Sequence, residues 1–355
     1  MAQARHPGID EEERGSMTEN TALVTVTGAS GFIALHCVRE LLREGYRVRG
    51  TVRSLDKEPA IRAALALDDE AEARLSFVAA NLVEDGGWPA AVGGARYVLH
   101  VASPAPAAPT EHEEDLIRPA QDGTLRVLRA AQAAGVSRVV ITSSIAAIVY
   151  SEKGARGEPL DESDWSDLNR PLGAYEKSKT LAERAAWEFI EGLSGDSPME
   201  LAVMNPAFVL GPSLLGADNT SNELIRKLLH RAVPGVPQLY LPIVDVRDVA
   251  IAHVAALKAP DAAGRRFILV GDECSYAELA QQIRAAGYQV PTRVLPNWLV
   301  RIFGRFDKGV ALIVPRLGQH RNLSTREART WLDWRTRPLR DTIVETAQDI
   351  ASRMP

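Results

Sequence analysis

Residues 24–34 read VTVTGASGFIA. A β-branched run breaks into Gly28 and Gly31, and an apolar pattern with helical spacing begins at Phe32. Strand, glycine turn and helix is the order in which a βαβ unit opens. Glycine permits the tight turn and lets another group come close to the backbone. The helix N-terminus that follows offers free N–H groups and the positive end of a dipole, which suit a phosphate. The spacing is Gly28-x-x-Gly31-x-x-Ala34 rather than G-x-G-x-x-G. Such a turn alone can be a bend with no ligand. Its place between the first strand and first helix of an alternating chain points to a dinucleotide pyrophosphate against Gly28, Ser30, Gly31, Phe32 and Ile33.

The alternation continues outward from this turn. Residues 32–44 put Ile33, Cys37, Val38, Leu41 and Leu42 on one helical face, and Gly45 ends the pattern. Residues 46–52, Leu75–Ala79, 97–101, 139–142 and 200–204 read as strands, with residues 115–134 as the clearest helix between them. The expected fold is α/β, a Rossmann-type doubly wound parallel sheet over residues 21–205. After Pro206 prolines and glycines become frequent (Pro212, Pro234, Gly235, Pro237, Pro242). Residues 206–355 read mainly as a smaller substrate-binding α/β lobe, with a strand piece at 267–270 and a helix at 276–286. Part of 244–257 is expected to return to the main sheet and complete it. Residues 1–20 read as a disordered arm or an expression leader joined at Gly15-Ser16-Met17, and residues 104–109, PAPAAP, as a short low-complexity tract.

Composition excludes several function classes. The 355 residues are 46% hydrophobic and 25% charged, enough for one large or two moderate globular domains. The net charge of −5 and the lack of a Lys/Arg run give no nucleic-acid footprint. Cys37 and Cys274 are too few for a disulfide framework or a metal cluster, so a reducing cytoplasmic setting and no metal are expected. No apolar run approaches the ~18 residues of a membrane span, and the polar first twenty residues lack the apolar core of a secretory signal. A monomer or homodimer is expected.

Three further features carry chemistry. The second strand ends Thr51-Val52-Arg53-Ser54, with Lys57 beyond and no acid at the strand end; Asp56 lies past it. An NAD-selective site usually has a carboxylate there for the ribose 2′-hydroxyl. A guanidinium instead matches a 2′-phosphate, so NADP(H) is the expected cofactor. Tyr175 and Lys179 stand four residues apart on one helix face. A phenol titrates near ~10 and a nearby ammonium favours the phenolate, so Lys179 is expected to lower the Tyr175 pKa toward working pH. The fifth strand ends Thr142-Ser143-Ser144. Carboxyl ends of strands are where an open α/β sheet binds its ligand, and a hydroxyl there can meet a carbonyl oxygen.

With these residues in this order, the chain resembles the extended short-chain dehydrogenases/reductases, and within them the dihydroflavonol reductase-like group that includes fungal methylglyoxal and aldehyde reductases. The resemblance runs from about Ala22 to Met354. Its carriers are TGASGFIA, GYRVRGTVRS, VLHVASP, VVITSS, DESDWSD, YEKSKTLAERAAW, NPAFVLGP and VDVRDVAIAHVAAL. It implies an NADPH-dependent carbonyl reductase acting on a small aldehyde or ketone. Tyr175 would be the proton donor, Lys179 the ribose ligand and Ser144 the carbonyl-orienting hydroxyl, since the group's serine is the second of the pair. Arg53 and Lys57 would hold the 2′-phosphate. Val101, Ala102 and Ser103 would line the ribose and nicotinamide, Pro206, Ala207, Phe208 and Val209 would pack around the carboxamide, and Ser221 would reach a phosphate.

Departures narrow this. Asn81-Leu82 replaces an Asp-Leu pair on the adenine side, and an asparagine oxygen can still accept from the adenine amino group. Ala34 replaces a common glycine, as in fungal aldehyde reductases. Val149 stands where plant dihydroflavonol reductases carry an asparagine, and PLGAYEKSK lacks the extended tyrosine motif of cinnamoyl-CoA reductases; both weigh against those plant activities. His100 and His253 have no metal-like spacing and read as local packing. Asp161, Glu162 and Asp164 read as a solvated acidic loop. Trp165 could roof the pocket or pack that loop, and Trp298, Phe303 and Phe306 read as lobe core, with a substrate-facing helix as the alternative. The alternatives are a hydroxysteroid dehydrogenase, a sugar-nucleotide epimerase or dehydratase that Arg53 disfavours, and a non-catalytic NADPH sensor or scaffold, which should lack one of the three catalytic groups.

Overall fold

The computed structural model describes residues 21–104, 112–193, 199–216 and 221–354. The expected arm at 1–20 and most of the proline-rich tract at 104–109 lie outside them. Strands β1 (Leu23–Val26), β2 (Arg47–Val52), β3 (Leu75–Ala79), β4 (Tyr97–His100), β5 (Arg138–Thr142) and β6 (Glu200–Pro206) form a parallel sheet in the order 3-2-1-4-5-6. Strand order reverses between β1 and β4. That switch point opens a crevice at the carboxyl ends of the strands.

The seventh strand is not where the sequence placed it. Arg265–Leu269 (β9) pairs parallel with β6 and closes the sheet. The stretch 244–257, expected to supply it in part, instead ends β8 (Tyr240–Asp245) in the smaller sheet and runs on as a helix over Val246–Lys258. The apolar run of that helix is buried nearly all round, so its period hides whether it is strand or helix. The helix follows β8 with no loop, because the Asp245 carboxylate caps it by accepting from Arg247 N at 2.8 Å. Its far end is tied down by buried Arg138 of β5, which donates to the carbonyls of Ala256 and Ala259 at 2.7 and 2.6 Å.

Four helices matter for the site. Phe32–Arg43 (α1) buries Leu35, Cys37, Val38, Leu41 and Leu42. Glu114–Ala133 (α2) and Ala174–Glu191 (α3) pack side by side, and Val246–Lys258 (α4) packs on α1. The lobe adds a second sheet: β7 (Phe208–Leu210) runs parallel to β8, and β10 (Asp272–Ser275) antiparallel to it. Its core gathers Leu210, Ile225, Leu279, Ile283, Ile343 and Ile350.

Of the acids in the loop expected to be solvated, only Asp161 is exposed. Asp164 is buried and pairs with Lys153, and Glu162 accepts from Ile268 N at 3.0 Å, with burial raising its pKa. Trp165 packs against Arg266, whose guanidinium lies 3.8 Å from the ring centroid, and so braces this loop. Trp298 and Phe306 are 62% and 85% exposed and Phe303 is also exposed, so they are not lobe core. No helix among the described residues is long and apolar enough to cross a membrane, and no cluster there could hold a metal ion.

His36, His100 and His253 are buried, and burial lowers their pKa values to about 4, 3 and 4. The unfolded chain takes up these protons near pH ~6.5, well before the folded protein does. Stability is therefore complete above that pH and is lost as pH falls toward 4, by up to about 1.4 kcal/mol per pH unit for each histidine. Thermal unfolding midpoints measured between pH 7 and 4 should fall steeply; a flat profile would contradict the buried neutral assignment.

Candidate active site

The site is built on the glycine turn. Gly28 has φ +67°, and a Cβ there would stand 2.9 Å from the Ala102 Cβ. Glycine is needed both for the left-handed conformation and for this approach. Thr27 fastens the two loops together: its hydroxyl accepts from Ala102 N at 2.9 Å and meets His100 Nδ1 at 2.9 Å. The imidazole in this pair is neutral, since burial holds the His100 pKa well down. Gly31 caps α1 without a side-chain cap, which leaves first-turn N–H groups facing the turn.

A cavity of about 690 Å³ runs along the carboxyl ends of the strands from this turn. It brings together Gly28, Ser30, Gly31, Phe32, Ile33, Arg53, Asn81, Leu82, Val101, Ala102, Ser103, Ser144, Tyr175, Lys179, Pro206, Ala207, Val209 and Ser221. Two expected residues do not line it. Lys57 sits exposed on the short 3-10 turn Leu55–Lys57, and Phe208 packs toward the lobe core. Arg53 is exposed at the end of β2 and has no hydrogen bond or ion pair among the described residues. Asp56 is engaged by the Ser54 hydroxyl at 2.8 Å. The Asn81 amide nitrogen is taken by Glu84 at 2.7 Å, which leaves the amide oxygen with one long contact to Val83 N at 3.4 Å.

At the other end of the cavity α3 presents Tyr175 and Lys179. The Ser144 hydroxyl lies close enough to the Tyr175 hydroxyl to favour the phenolate. Ser144 also caps the turn that follows it, accepting from Ala146 N at 3.1 Å. Ser143 is committed elsewhere, donating to the buried Glu183 carboxylate. Tyr175 is half exposed where it lines the cavity; desolvation pushes the phenol above its ordinary value while Ser144 pulls it back. The downward pull expected from Lys179 is not among the causes of the shift. Lys179 is itself lowered to about 8, because burial disfavours the ammonium and Glu183 only partly restores it. Its Nζ lies 3.3 Å from the Ser103 hydroxyl.

Residues 24–271 match the family model described as the NAD dependent epimerase/dehydratase family. The chain belongs to that family. It is an oxidoreductase with a nicotinamide cofactor. A cinnamoyl-CoA reductase of Medicago truncatula is 38% identical over 267 residues, 74% of this chain and 80% of the relative. A ketoreductase of Aspergillus niger is 36% identical over 293 residues, 77% of this chain and 85% of the relative. The crystal structure of yeast methylglyoxal/isovaleraldehyde reductase Gre2 complexed with NADPH superposes with a TM-score of 0.75 at 28% identity, covering 93% of this chain and 98% of that one.

Within this family member, the cavity also takes in Thr51, Trp88, Pro104, Asp115 and Pro119, which sequence reading did not place there, and Thr142. Asp115 and Pro119 are one turn apart at the start of α2, a face the sequence pattern marks as helix without saying what it meets. Thr142 was part of the strand end already singled out. His253 orients it: the imidazole donates through Nδ1 to the Val249 carbonyl and so accepts the Thr142 hydroxyl at Nε2, 2.7 Å away.

Proposed function

We propose that the chain reduces an aldehyde or ketone to the alcohol with NADPH, using Tyr175, Lys179 and Ser144. The observation that carries this reading is the meeting of the Tyr175 hydroxyl, the Ser144 hydroxyl and the Lys179 side chain at one end of the cavity that the glycine turn opens. The cofactor is NADP(H). The left-handed Gly28 and the uncapped start of α1 suit a pyrophosphate, Arg53 suits the 2′-phosphate, and Asn81 and Leu82 flank the adenine. Ser103 and Lys179 hold the ribose, and Pro206, Ala207 and Val209 pack the nicotinamide. When bound, the nicotinamide supplies the hydride.

The chain's own groups do the rest. Tyr175 donates its proton to the carbonyl oxygen; burial keeps it protonated, the form reduction requires. Ser144 holds that oxygen and stabilises the charge developing on it. In the reverse direction the same groups take a proton from a secondary alcohol. Mixing purified protein, NADPH and a panel of aldehydes and ketones tests this. Loss of reduced-nicotinamide absorbance with a substrate is expected; tight NADPH binding with no loss across the panel would favour a sensor or scaffold.

Cofactor choice has its own test. Arg53→Ala should weaken NADPH binding at least about tenfold, the weight of roughly 1.5 kcal/mol for a charge-assisted bond. NADH binding should hardly change. Equal losses for both cofactors in titration would remove the 2′-phosphate role.

A further inference from the structure

Behind the serine strand end lies a buried polar cluster that the reaction does not itself use. Its centre is Glu183 on α3, 1% exposed. One carboxylate oxygen accepts from buried Arg266 Nε of β9 at 2.6 Å. The other accepts from Asn205 Nδ2 of β6 at 2.8 Å and from the hydroxyl of Ser143, the residue just past β5. Asn205 Nδ2 also donates to the Ser144 carbonyl at 3.1 Å. Both amide hydrogens thus have acceptors, which fixes how the amide is turned. Arg266 is held by the Glu162 and Asp164 carbonyls at 2.8 and 2.6 Å and by the Trp165 ring.

Tyr175, Lys179 and Glu183 follow at four-residue steps, so one face of α3 carries the two reacting groups and this anchor. We propose that Glu183 is a positioning residue: fixed by Arg266, it clamps the Ser143-Ser144 strand end, through Ser143 and Asn205, in register with Tyr175 and Lys179. The inference rests on the reading of those groups as catalytic. A purely structural pair would stabilise the fold equally well without bonding to the serine segment. This one spends a full carboxylate oxygen on it. Glu183 also supports the charge on Lys179. The two share the lining of a small cavity of about 20 Å³ with His100, which stays neutral, and with Ser103 and Ser143.

Asn205→Ala tests the clamp with the ion pair intact. NADPH affinity should stay near the wild-type value, while kcat falls by roughly ten- to a hundredfold, the weight of a misplacement of about 1 Å. The Glu183→Leu/Arg266→Met double variant avoids stranding a buried guanidinium and removes the carboxylate that Ser143 and Asn205 reach; its kcat should fall in the same way. Wild-type kcat in folded Asn205→Ala, or in the folded double variant, would overturn the proposal. Tyr175→Phe run alongside separates the two claims: an inactive Tyr175→Phe beside a fully active Asn205→Ala defeats the clamp alone, whereas an active Tyr175→Phe defeats the site reading itself.

Discussion

Tyr175→Phe should lower turnover by about two to four orders of magnitude, the range for loss of a general acid, with NADPH affinity unchanged. The substitution removes one oxygen. The ring keeps its place on α3, and the cofactor contacts assigned to the glycine turn, Arg53 and Lys179 remain. What is lost is the proton for the carbonyl oxygen and the neighbour of the Ser144 hydroxyl. Ser144 keeps its capping bond from Ala146 N, so the turn after β5 should persist. Single-turnover rates with saturating NADPH give the comparison. Retention of near-normal rates on a good substrate would mean that another group supplies the proton.

Lys179→Met should damage binding and turnover together. It deletes the ammonium beside Ser103 and leaves an apolar side chain of similar length in a buried position. Its pH signature is more specific. Burial lowers Lys179 to about 8, so the ammonium fraction falls as pH rises through that value. Wild-type NADPH affinity should therefore weaken above pH 8, and the Met variant should show no such limb. Tyr175 is shifted the other way, above its ordinary value, and stays protonated over this range. An alkaline limb near pH 8 that survived in Lys179→Met would belong to some other group.

Local signals made most of this site legible in the sequence. The turn at Gly28 is fixed by neighbours in the chain, and Tyr175 and Lys179 share a face through helix geometry alone. The ambiguity between Ser143 and Ser144 could not be resolved locally, because what separates them is Glu183, forty positions away on another element. The same limit hid the seventh strand. Residues 246–258 and 265–269 both carry apolar residues that are buried, and partnership with β6 rather than period decides which one joins the sheet. Lys57 sits exposed on the 3-10 turn after Ser54 and does not line the cavity, which its place just beyond the strand end does not foretell. Asp164 and Glu162 look solvated in sequence because acids usually are; the long-range partners Lys153 and Ile268 N make their burial tolerable.

Hydride transfer itself gives the most direct test. NADPH deuterated at its hydride-donating carbon should be incubated with the protein and an aldehyde or ketone that is turned over, and the alcohol analysed by mass spectrometry and NMR. The account predicts one deuteron on the carbinol carbon for each NADP+ formed, in the wild type and, at its much slower rate, in the residual turnover of Tyr175→Phe. Alcohol formed without deuterium, or NADPH bound and never oxidised by any carbonyl offered, would contradict it.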